Sequence, residues 1–103
     1  MKDKELLIEA IYAHDVYASS RRLTLKTLVE LAVDGTVSVS PAALAKFIKI
    51  GRGVVYHNLR ILEEDGYIKN VGKRRQRIGI YELNETKLAE TIEIYKKKQK
   101  YLT

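Results

Sequence analysis

The chain has 103 residues, 46% of them hydrophobic and 31% charged, the balance of one folded domain rather than of a disordered chain. Its 19 Lys and Arg against 13 Asp and Glu give a formal net charge of +6, which favours an anionic partner such as nucleic acid or a lipid surface. The absence of cysteine excludes a disulfide framework, a thiolate metal site and a thiol nucleophile together.

The opening "MKDKELLIEAIY" carries charges inside its first turn and has no unbroken apolar stretch, so it does not read as a signal peptide. No run approaches the roughly 18 apolar residues of a membrane span, and the expectation is a soluble, cytoplasmic protein. From Asp3 to about Ala18, Leu6, Leu7, Ala10, Ile11, His14 and Tyr17 recur at helical spacing, and Ile8 and Tyr12 broaden the apolar face. A second helix is expected from about Arg21 to Val33, with Leu25, Leu28, Val29 and Ala32 inward and Asp34-Gly35 ending it. "TVSV" is a short β-prone run.

Ser40-Pro41 is a strong helix start, an N-cap followed by a residue preorganised for the first turn. That helix runs through Leu44, Ala45, Phe47 and Ile48, breaks at Lys49-Ile50-Gly51, and is followed at once by another over 52–65, which Gly66 ends. "YIKNV" and "IGIYEL" are strand-like, and between them Gly72 to Arg77 forms a hairpin tip with four cations, Lys73, Arg74, Arg75 and Arg77. Asn84 or Thr86 can cap a last helix over about 85–101, with Leu88, Ile92, Tyr95 and Leu102 on a heptad-like seam. With one proline and no linker, residues 1–103 read as a single domain: an N-terminal helix (3–18), a core (21–83) and a C-terminal helix (85–101).

Two short helices joined by a tight turn containing glycine form a helix-turn-helix, and a hairpin directly after the second helix makes it winged. The stretch "ALAKFIKIGRGVVYHNLRILEEDGYIKN" resembles the DNA-reading segment of bacterial and archaeal regulators of the MarR, ArsR and PadR families. "VYHNLRIL" is similar to the ArsR-type helix, and Tyr56 followed by "LRILEEDGYI" resembles PadR-type proteins. The resemblance covers about Leu23 to Leu83 and implies a mainly α fold with a small β-hairpin, a winged helix-turn-helix flanked by terminal helices used for dimerisation. Cysteine-based metal sensing, found in some ArsR members, is excluded by composition.

The helix over 52–65 supports that implication on its own pattern. Val55, Leu59 and Leu62 fall within about a 60° arc, while Gly53, His57, Arg60 and Glu64 centre on the far side, with Arg52 and Tyr56 at one edge. Arg52 and Arg60 can donate in a fork to guanine or to phosphate, and His57 and Tyr56 can bond a phosphate or stack on a base edge. Gly53, lacking a Cβ in the first turn, lets the helix start approach a phosphate closely. Val54 and Ile61 lie on a flank, where Val54 can also meet a thymine methyl. The wing cations Lys73, Arg74, Arg75 and Arg77 suit the adjacent minor groove or the backbone.

The broad apolar faces of the end helices suggest a homodimer, with Leu7, Ile11, His14, Leu88, Ile92 and Tyr95 at its interface. "KKKQK" near the end complements a helix dipole, and Arg21 and Arg22 read as a solvated helix start. No metal site, cofactor or catalytic set can be assembled: His14-Asp15 is a lone pair, and "GRG" lacks P-loop spacing. The expectation is therefore a non-enzymatic dimer binding double-stranded DNA, associated with the nucleoid when bound. The rivals are a winged-helix protein-interaction module and an architectural or replication-associated DNA binder with little sequence preference.

Overall fold

A computed structural model describes residues 4–14, 17–74 and 78–102, without the side chains of Arg74 and Leu102. In chain order the elements are α1 (Lys4–Tyr12), α2 (Ser19–Leu31), β1 (Thr36–Val39), α3 (Pro41–Ile48), α4 (Arg52–Glu64), β2 (Ile68–Arg74), β3 (Ile78–Leu83) and α5 (Glu85–Leu102). Among the described residues no helix is long and apolar enough to cross a membrane.

The boundaries follow local chemistry. Ser40 is the N-cap of α3, its hydroxyl accepting from the Ala43 N–H at 3.3 Å, with Pro41 in the first turn. At its other end Lys49, not the nearby glycine, takes the left-handed conformation (φ 59°) that turns the chain into α4. Gly66 does supply the left-handed residue after α4 (φ 84°). The Gly66 N–H reaches the Glu63 carbonyl and the Tyr67 N–H the Leu62 carbonyl, the paired bonds of a Schellman ending. Asn84 caps α5 through its Oδ1, which accepts from the Lys87 N–H at 3.1 Å.

Two expected boundaries move. The first helix stops at Tyr12 instead of running to 18, because His14 and Tyr17 leave the helical path to pair with residues near the end of α4. The second ends at Leu31, and Asp34-Gly35, both with positive φ, forms a two-residue turn between Val33 and Thr36 rather than a helix cap. The carbonyls at the end of α2 are met from a distance: Lys4 donates to the Ala32 carbonyl at 2.8 Å.

The TVSV strand does more than connect. It pairs antiparallel with β3, giving a three-stranded sheet in the order β1-β3-β2. Register slips between Asn70 and Gly72, leaving Val71 unpaired and exposed, a bulge that bends the outer strand. The core lies between α2, α4 and the sheet, where Leu25, Leu28, Val29, Val55, Leu59, Leu62 and Ile68 are buried. Leu44 and Ala45 close it from α3, while Phe47 is 66% exposed on the outer side.

The end helices correct the dimer expectation in part. Leu7, Ile11 and Leu88 are buried inside the single chain, where α1 packs against α2 and α5. His14 is likewise used internally, its Nε2 2.8 Å from the Tyr67 hydroxyl and its ring stacked on Tyr17 at 4.9 Å. Ile92 and Tyr95 are half-buried on the same seam. The outward apolar residues of α5 are instead Ile94 and Tyr101, seven positions apart on the opposite face.

Candidate nucleic-acid interface

α3, the three-residue turn 49–51 and α4 form the helix-turn-helix, and β2–β3 form the wing beside it. α4 is fixed by a stripe of four buried side chains: Val55, Asn58, Leu59 and Leu62. Asn58 was hidden from the sequence reading, although it occupies the inward slot three residues after Val55 and four before Leu62. Its Nδ2 donates to the Thr24 hydroxyl at 3.1 Å, and that hydroxyl donates to the Ser20 carbonyl at 2.8 Å. Thr27, also fully buried, satisfies itself on the Leu23 carbonyl. The Asn58–Thr24 bond joins α4 to α2 and, with the buried stripe, sets the rotation that decides which residues face out.

The residues facing out are the expected ones. Arg52, Gly53, Val54, Tyr56, His57 and Arg60 are all exposed on α4. Arg60 donates through Nη2 to His57 Nδ1 at 3.1 Å, one helical turn apart. Neither α3 nor α4 has an acidic residue in its first turn, so the positive ends of both helix dipoles are left uncompensated. The acids of α4 sit at its far end and are partly engaged there. Glu63 accepts the Asn70 N–H at 2.8 Å, and Asp65 accepts the Tyr17 hydroxyl at 2.5 Å.

Tyr17, Asp65, His14 and Tyr67 form a cluster that sequence spacing could not reveal. Tyr17 packs edge-on against Tyr67 at 5.6 Å, and Arg21 lies 5.2 Å over the Tyr17 ring. Burial first, then the bond to Asp65, hold the Tyr17 hydroxyl well above the usual phenol range, so it remains a proton donor. Arg21 is thus committed to the fold, and Arg22 donates to the Tyr12 carbonyl at 2.6 Å, closing the end of α1. The expected solvated start of α2 is a pair of internal ties.

In the wing, Lys73 is exposed and Arg74 ends β2 opposite Ile78. Arg75 and Arg77 lie outside the described residues. Between α4 and the wing is a cleft of about 380 Å³ lined by Pro41, Tyr56, Asn70, Lys73, Gly79 and Tyr81. It holds two phenols, an amide and an ammonium, and no carboxylate. Burial raises the pKa of Tyr81, keeping it a neutral donor. A larger and shallower cleft, about 730 Å³, lies at the base of the sheet, but Asp34, Glu63, Glu82 and Glu85 outnumber Lys69 there. Its charge is wrong for a polyanion.

No protein-family model matches the chain, and no curated protein matches it. Among solved structures it is similar to the transcriptional repressor BigR from Xylella fastidiosa, at 25% identity and a TM-score of 0.51, over 85% of this chain and 78% of that one. The five helices and three-stranded antiparallel sheet of the described residues, with this likeness, make the chain a winged helix-turn-helix.

Proposed function

We propose that the chain is a DNA-binding transcriptional regulator that places α4 in the major groove and its wing on the adjacent backbone or minor groove. One observation carries the reading: ahead of its terminal acids, the exposed face of α4 presents Arg52, Tyr56, His57 and Arg60, all able to donate, with an unneeded glycine among them. Nothing lies within 4 Å of where a Cβ on Gly53 would sit, and its φ is not positive, so the fold has no use for glycine there. A helical glycine costs about 0.5–1 kcal/mol against alanine, and a close approach by an outside backbone accounts for keeping it. Gly53→Ala is therefore expected to stabilise the free chain by up to about that amount in urea melts and to weaken DNA binding. Unchanged binding by the stabilised variant counts against the close approach.

The cleft between α4 and the wing has the polarity for a phosphate of the strand passing between the two grooves. The similarity to a transcriptional repressor supports the regulatory role. Lys73, Arg74, Arg75 and Arg77 supply non-specific attraction; Arg52, Val54, Tyr56, His57 and Arg60 face the bases. Neutralising Arg74 and Arg75 is expected to weaken all sequences alike and to reduce the slope of log affinity against log salt by about 0.9 per lost phosphate contact. An unchanged slope removes the wing from the interface.

Dimerisation, in this proposal, uses the outward faces of α5 and α1. Ile94, Tyr101 and Tyr12 are at least half exposed there, beside the half-buried Ile92 and Tyr95. Two copies would set their α4 helices about 34–36 Å apart on one side of a duplex and favour a palindrome. Ile94→Glu is expected to shift sedimentation from dimer to monomer while leaving the circular dichroism spectrum intact. The deciding experiment for the whole reading is selection from a random duplex pool. A two-fold symmetric motif supports it. Tight binding with no motif points to an architectural binder, and weak, salt-labile binding to a protein-interaction module.

A further inference from the structure

We propose that His57 and Arg60 form a single reading unit that selects guanine, with His57 bracing the guanidinium of Arg60 and presenting its own Nε2–H to the neighbouring base pair. The proposal rests on the DNA-binding reading above and adds which bases are read, and by what means.

The geometry fixes the chemistry of both side chains. A guanidinium has five N–H donors, no acceptor, and does not lose its proton in proteins. Because Arg60 Nη2 lies 3.1 Å from His57 Nδ1, the imidazole nitrogen must be the acceptor. Its proton is then on Nε2, and Nε2 has no partner among the described residues. Arg60 has an obvious alternative partner in Glu64, one turn further along the helix. No ion pair joins Arg60 to Glu64 among the described residues, so Glu64 leaves Arg60 to His57. Arg60 keeps its other N–H groups for an outside acceptor.

The result is a patch that only donates. In the major groove guanine shows two acceptors, N7 and O6, while adenine pairs an acceptor with an N6 donor and cytosine shows a donor. A donor-only patch meets guanine without conflict and meets the other two with at least one donor facing a donor. Residues 57 and 60 are separated by about 4.5 Å along the helix axis. That compares with about 3.4 Å per base step, so the two side chains address adjacent pairs. Arg60 takes guanine, and the His57 Nε2–H takes the acceptor of the next pair, guanine or thymine. The brace also holds a long, flexible side chain in the reading position before DNA arrives, which lowers the ordering cost of binding.

Three forms of the full chain separate this unit from a loose pair of polar side chains: wild type, His57→Gln and His57→Lys. Gln keeps an acceptor for Arg60 and a donor for the base; Lys keeps no acceptor and adds a cation. Each is used to select from random duplex DNA, and the selected guanine is then replaced by 7-deazaguanine, which lacks N7. Wild type and His57→Gln are expected to select the guanine and to lose about tenfold in affinity on its replacement. His57→Lys is expected to bind random DNA at least as well, yet to lose the guanine preference and the sensitivity to N7. A His57→Lys pool with the same guanine and the same sensitivity overturns the pairing, as does a wild-type motif with no such guanine. Both results leave the DNA-binding reading standing. A wild-type pool with no motif at all overturns sequence reading and the pair together.

Discussion

Asn58→Asp is expected to destabilise the chain by about 3 kcal/mol or more near pH 7 and to recover most of that loss at about pH 4. Asn58 is 1% exposed, and the hydroxyl it donates to has already given its proton to the Ser20 carbonyl. A carboxylate there would turn charged acceptors toward a lone pair in a dry site, while the neutral acid could supply the missing proton. The introduced acid would thus have a folded pKa above the unfolded value of about 3.9. Below that value both states hold the proton and the variant loses little. As pH rises through it, the unfolded chain releases its proton first, and stability falls by about 1.4 kcal/mol per unit until the folded pKa is passed. Urea midpoints against wild type at the two pH values give the measurement. An equal gap at both would mean that the introduced side chain has turned out to water.

Leu62→Ala has the other large effect. Leu62 is fully buried where α4 meets the core, and its backbone carbonyl receives the Tyr67 N–H of the Schellman ending. Truncating a buried leucine typically costs about 2–5 kcal/mol, from lost transfer energy and the cavity left behind. A domain of this size is stable by roughly 5–15 kcal/mol, so the variant would have a measurably unfolded population. Phe47→Ala is the internal control. With two thirds of its surface in water, Phe47 should change stability by less than about 0.5 kcal/mol despite the larger side chain removed. A comparable loss from Phe47→Ala would show that its ring is covered in solution.

The helix-turn-helix was legible in the sequence because its signals are local. Ser40-Pro41 opens α3 by capping chemistry, Gly66 closes α4 by its positive φ, and Val55, Leu59 and Leu62 set which side of α4 is inward. The outward residues follow from the same wheel, so Arg52, Gly53, Tyr56, His57 and Arg60 were found by exclusion. What the sequence hid depends on distant partners. Asn58 meets Thr24 across 34 residues, Tyr17 meets Asp65 across 48, and His14 meets Tyr67 across 53. No periodicity in either segment encodes those meetings.

The same limit explains the end helices. A broad apolar face on α1 shows that it must be covered but not by what, and in the folded chain α2 and α5 cover Leu7 and Ile11. Leu88, Ile92 and Tyr95 therefore mark the inner side of α5, and its outward apolar side chains are Ile94 and Tyr101.

The aromatic cluster has a mechanical consequence. Tyr17 is tied to Asp65 just beyond α4, and His14 to Tyr67 just before the wing, so one segment clamps the root of both. Helix and wing thus share one pedestal, tied to the same short stretch of chain at both roots. In the proposed complex such a pedestal would leave bending to the nucleic acid, and easily kinked pyrimidine–purine steps and narrow A·T tracts would then be favoured even at positions no side chain touches.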